Sequence, residues 1–83
     1  MPKSKREFKP THYLDITSFM SLQIEVVVEN CECFVYGAFY DSINRSFDHI
    51  TKSKVRTNSY GKSYFIKSRN RYYLADFMSN YLF

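Results

Sequence analysis

Along residues 22–40 the chain alternates. Leu22, Ile24, Val26 and Val28 fall at one set of positions and Gln23, Glu25, Val27 and Glu29 at the other, before a polar break over residues 29–32. A period of two with β-branched residues on one side is the pattern of a half-buried strand. Val26, central in the run, is therefore expected in the core, where a charge would unfold the domain. A second β-rich run over residues 33–39 follows directly, so the two read as an antiparallel hairpin turning near Asn30. Gly37 inside the second run suggests a bulge or a close approach to a bulky neighbour. Residues 13–19 alternate more weakly and are read as a further strand.

The period changes after Asp41. Asp41 and Ser42 are good N-cap residues, Ile43, Phe47 and Ile50 follow at helical spacing, and Asp48 and Lys52 form an i,i+4 pair. This predicts a short helix over residues 43–53. Residues 54–57 then read as a short strand, and Asn58-Ser59-Tyr60-Gly61 as a turn. A second hairpin is expected from residues 63–68 and 71–75 around Arg69-Asn70. Asp76 is expected to cap a last helical turn through Phe77, Met78, Tyr81 and Leu82. The fold class expected is α+β: a small, mainly antiparallel sheet of two hairpins, about four to six strands, with one short helix between them and a C-terminal helical turn.

The chain of 83 residues has room for one core, expected over residues 11–83 behind a flexible basic arm at residues 1–10. With 19% aromatic residues and no Trp, that core should be rich in rings, some of them left outside. No secretory signal is legible at the N-terminus and no apolar run approaches the roughly 20 residues that span a bilayer. With two cysteines one residue apart, Cys31 and Cys33, a cytoplasmic setting with reduced thiols is expected. Charge is unevenly distributed. Residues 11–41 carry Asp15, Glu25, Glu29, Glu32 and Asp41 with no Lys or Arg, whereas residues 42–83 carry eight basic residues against Asp48 and Asp76.

Few constellations carry chemistry. Cys31, Cys33, His12 and His49 lack the knuckle spacing of a zinc site, so no metal and no cofactor is expected. Two glycines, Gly37 and Gly61, exclude a Gly-rich phosphate cradle, and no nucleophile or acid/base signature appears, so the chain is not expected to be an enzyme. What remains is the basic, aromatic C-terminal half. Lys54, Arg56, Lys62, Tyr64, Phe65, Lys67, Arg69, Arg71, Tyr72 and Tyr73 are the candidate partner-binding residues, because rings stack on bases, cations neutralise phosphates, and Tyr and Arg also dominate protein interfaces. The expectation is a non-enzymatic binding protein acting stoichiometrically on a protein or nucleoprotein complex, such as an accessory or inhibitor protein of a phage-like mobile element. A direct nucleic-acid-binding module is the alternative, a homodimer is among the protein partners considered, and no membrane is involved.

Overall fold

The alternating run and its successor pair over their full length. A computed structural model, which describes residues 8–79, places β2 at Met20–Glu29 and β3 at Glu32–Asp41, paired from Met20↔Asp41 to Glu29↔Glu32. Asn30 and Cys31 make the turn with φ of 51° and 65°. Two successive positive φ values give the type I′ geometry whose twist matches a two-residue hairpin. β1 (His12–Thr17) lies on the other side of β2, with a register break between Asp15 and Thr17.

No helix follows Asp41. Mostly strand (62%) and only 4% helical, the structure has no helix of seven residues or more among the described residues, so the α+β expectation is corrected to an antiparallel β fold of two sheets. Asp41 does cap, its Oδ1 accepting from the N–H groups of Ile43 (2.9 Å) and Asn44 (3.3 Å). The turn ends one residue later because Arg45 takes a left-handed φ of 55°, which a right-handed helix does not tolerate. The chain then returns along β3 as β4 (Ser46–Phe47) and β5 (Thr51–Lys54).

The misleading spacing comes from a bulge. Phe47 pairs with Tyr40 and Thr51 with Gly37, so residues 48–50 oppose only Ala38 and Phe39. One surplus residue shifts the alternation, and both Phe47 and Ile50 end on the same outer face although they are three apart. Asp48 clasps the bulge: its N–H donates to Phe39 O (3.0 Å) and its Oδ1 accepts from Phe39 N–H (2.8 Å).

The remaining strands are β6 (Arg56–Thr57), β7 (Ser63–Lys67), β8 (Asn70–Tyr73) and β9 (Met78–Ser79). The larger sheet runs β4-β3-β2-β1-β9 with β5 also on β3, and the smaller runs β6-β7-β8. β5 and β6 are separated by Val55 alone, whose N–H still donates to Cys33 O (2.9 Å), so one continuous strand turns the corner between sheets. A single 3-10 turn at Leu74–Asp76 carries the chain back to β9, which pairs with β1 at His12 and Tyr13. The helical turn expected after Asp76 is thus corrected: it precedes Phe77, Met78 is in a strand, and Tyr81 and Leu82 lie outside the described residues.

Between the sheets sit Leu22, Ile24, Val35, Phe65 and Phe77, flanked by Leu14, Phe39, Val55, Tyr72 and Leu74. Gly37 makes no bulge. It is buried opposite Ile24, and a Cβ there would stand 3.4 Å from Ile24 Cγ2 and 3.7 Å from Leu22 Cδ1, the close approach that a bare backbone permits. The core stops short of the hairpin tip, so Val26 is 39% and Val28 71% exposed. Val26 is on the anticipated face, but the smaller sheet does not reach far enough to cover it.

On the outer face residues 8–10 are docked. Residues 1–7 of the expected arm lie outside the described residues. Pro10 is buried, Lys9 N–H donates to Glu25 Oε1 (3.1 Å), and the Phe8 ring meets Phe47 edge-on at 5.6 Å.

Two stability measurements check this account. Ile24→Ala, in the sealed part of the core, lowers unfolding free energy by about 2–5 kcal/mol, whereas Val26→Asp costs about 1 kcal/mol or less; equal, large losses would mean that the core extends to the tip. Cys31→Gly relieves the left-handed penalty in the β2–β3 turn and raises stability by about 0.5–1 kcal/mol, seen as a higher thermal midpoint.

Candidate functional site

The second hairpin turns one residue earlier than the sequence suggests. Ser68 and Arg69, with φ of 54° and 66°, form the type I′ turn, and the pairs are Lys67↔Asn70, Ile66↔Arg71, Phe65↔Tyr72 and Tyr64↔Tyr73. Moving the turn by one changes every partner by two, which leaves the side-chain faces as anticipated.

Those faces divide the ten candidate residues. Phe65 and Lys67 point inward and are buried, and Tyr72 packs half-buried against Phe65 at a centroid distance of 5.7 Å. Only 4% exposed, Lys67 donates from Nζ to Thr51 Oγ1 (2.9 Å) and stands 5.2 Å from the Phe39 ring centroid. Phe65 and Lys67 are not available at the surface, and Tyr72 lies on the inner face. Lys54 is set apart on β5, bonded to Glu32 (3.4 Å). The acidic first hairpin is thus answered by β5, where Lys52 also bonds Glu29 (2.8 Å) and lies 4.3 Å from the Phe34 centroid. The hydrogen bond that Lys52 donates to Glu29 holds its amine above its ordinary pKa.

The other six come together on or beside the outer face of the smaller sheet. Arg56 pairs with Tyr64 across β6–β7, and Tyr64 with Tyr73 across β7–β8, their rings 5.7 Å apart. The Arg71 guanidinium lies over the Tyr64 ring at 4.3 Å and donates from Nη1 to Tyr73 Oη (3.5 Å). Arg69 is exposed at the turn. Lys62 is fixed at the opposite end by Asn58, whose Oδ1 accepts from the Tyr60 and Lys62 N–H groups, both at 2.9 Å. Gly61 completes that loop with φ of 81°. Asn58 Nδ2 also donates to Tyr73 Oη (3.3 Å), a role that only its place in the turn could have suggested. The bond from Arg71, and then that from Asn58, holds the Tyr73 phenol below the ordinary tyrosine range.

Among the described residues, Arg56, Lys62, Arg69 and Arg71 form no ion pair with a carboxylate. The face is thus cationic, with two aromatic rings in its centre. A shallow groove of about 540 Å³ on the other sheet, lined by Tyr13, Asp15, Phe19, Gln23 and Tyr40 among others, holds a single carboxylate and no His or Cys. Among the described residues no three of His, Cys, Asp and Glu gather as metal ligands, and no helix is long and apolar enough to cross a membrane. No protein-family model, curated protein or solved structure matches the chain.

A titration checks the site. The phenolate signal present in the native protein and missing in Tyr73→Phe should appear below the usual tyrosine range of about 10 and move back toward it in Arg71→Ala. Because the folded phenol ionises more easily than the unfolded one, its contribution to stability is full above the ordinary pKa and is lost as pH falls through the lowered one. A signal unmoved by Arg71→Ala would show that this arginine does not hold Tyr73 in solution.

Proposed function

We propose that the protein is a non-enzymatic binding module that acts stoichiometrically, and that the outer face of β6–β8 takes an anionic macromolecule, first of all a nucleic-acid strand, alone or in a nucleoprotein complex. One observation carries the reading: Arg56, Arg71, Tyr64 and Tyr73 share one sheet face, and its cations have no carboxylate partner among the described residues. Cations without a carboxylate partner gain by displacing counterions from phosphates. Tyrosine rings and the guanidinium plane are surfaces on which unpaired bases stack. A cytoplasmic accessory or inhibitor protein of a mobile element is a setting in which such a module would work.

A second reading is an acidic protein surface. Arg71 already covers one face of Tyr64, and a Tyr–Arg pair of this kind is a common centre of protein interfaces.

Binding to a short mixed-sequence single-stranded DNA, followed across a salt series, separates the two. The nucleic-acid reading expects a linear loss of log affinity with log salt, flattened by up to about 2 units in the triple variant Arg56→Ala, Lys62→Ala, Arg71→Ala. Tyr64→Ala should weaken binding about tenfold or more while keeping most of the slope. Lys67 is left untouched because truncating it opens the core. A folded protein that binds no DNA at low salt defeats the first reading, and nuclease-resistant capture of a protein that depends on Tyr64 would favour the second.

A further inference from the structure

Among the described residues, the larger sheet leaves the tip half of β2 regular in register with β3 and open on its other edge. β3 covers β2 along its whole length, but β1 covers only the half from Met20 to Ile24. In β2 the even-numbered residues turn their N–H and C=O groups toward β1, as Ile24 O does when it accepts from Thr11 N–H (2.9 Å). The next residue toward the N-terminus is Pro10, which has no N–H to extend the ladder. There the chain leaves the edge, Lys9 bonding the Glu25 side chain and Phe8 passing to Phe47. Val26 and Val28 therefore direct main-chain donors and acceptors outward with no strand beside them among the described residues, and their side chains are the exposed valines of the tip.

Other edges are blunted in the usual ways. β1 has its register break between Asp15 and Thr17, β8 carries Arg71 and Asn70, and β4 and β9 have two residues each. The tip half of β2 has no bulge, proline or lysine.

We propose that this edge receives an extended segment of a partner protein in which Lys or Arg alternates with apolar residues, adding a strand beside β2. Main-chain bonds to Val26 and Val28 would hold it, its apolar side chains would lie beside those valines, and its cations beside Glu25 and Glu29 on the other face. Both glutamates already have partners, Lys9 N–H and Lys52, but a carboxylate accepts several donors. A second copy of the chain fits poorly. The two-fold antiparallel register that uses the whole open edge sets Val27 against Val27 and Glu25 directly against Glu29 twice, and like charges in that position are destabilising.

The probe is a capped seven-residue peptide of alternating Lys and Val, with a Glu–Val peptide as control, added to the isotopically labelled full chain while amide hydrogen exchange is followed. In the free protein the Val26 and Val28 amides should exchange faster than those of Glu25 and Val27, which face β3. Saturating Lys–Val peptide should slow the two valine amides about tenfold or more, and the Glu–Val peptide should not. Val28→Pro removes an outward N–H and should abolish the protection at Val26; Val28→Lys, which sets a charge against the probe's valines and keeps the backbone intact, should do the same if the proline variant fails to fold. Failure of the peptide to protect either valine overturns the proposal, as does protection that survives both variants. So does slow exchange at Val26 and Val28 in a free protein that sediments as a dimer, which would give the edge to a second copy. DNA binding by the β6–β8 face is read separately and does not bear on this result.

Discussion

Phe65 holds the two sheets together. It is fully buried, with its ring centroid 5.7 Å from that of Tyr72 and 5.8 Å from that of Phe77, and it joins the cluster of Leu22, Ile24 and Val35 from the larger sheet. A sheet as small as β6-β7-β8 has little stability alone and depends on such a contact. Its two covalent ties run at opposite sides, through Val55 at the β5–β6 corner and through the turn at Leu74–Asp76 into β9. With the inner face anchored by Phe65, the outer face is a fixed platform, and the spacing of Arg71 over Tyr64 is a property of the fold.

The same anchoring decides which basic residues reach a partner. Lys67 follows Phe65 by two on β7 and so must share its buried face. Thr51 and the Phe39 ring receive its amino group there, and no buried side-chain polar atom among the described residues is left without a partner. Lys52 and Lys54 are spent on the acids of the first hairpin. Of the other exposed cations among the described residues, Arg56, Lys62, Arg69 and Arg71 cluster around Tyr64 and Tyr73 because β6, β7 and β8 are neighbours and not because they adjoin in sequence.

One surplus residue opposite Ala38 and Phe39 has the opposite kind of effect on the larger sheet. It returns Lys52 to the outer face, where it meets Glu29 over Phe34, and it sets Ile50 near Phe8 and Tyr36 around a cavity of about 240 Å³. Residues 8–10 use that face, and by leaving the edge at Pro10 they leave the tip half of β2 open among the described residues. Bulge and docked segment thus share one face of the larger sheet.

Alternation by itself determined the first hairpin: Leu22 to Val28 against Cys33 to Phe39 specifies two strands and a turn at Asn30, since pairing of neighbours in sequence needs nothing distant. It determined the faces of the second hairpin too, because a turn misplaced by one residue moves partners by two and keeps each side chain on its side. The basic and aromatic character of the site was legible in composition for the same local reason. Tertiary structure decided the rest. Ile43, Phe47 and Ile50 have helical spacing, yet Arg45 in the left-handed region and a bulge clasped by Asp48 make the segment a broken strand, and both depend on pairing with β3. How far the smaller sheet extends left Val26 exposed while burying Lys67, because burial depends on what lies opposite a residue and not on its own pattern.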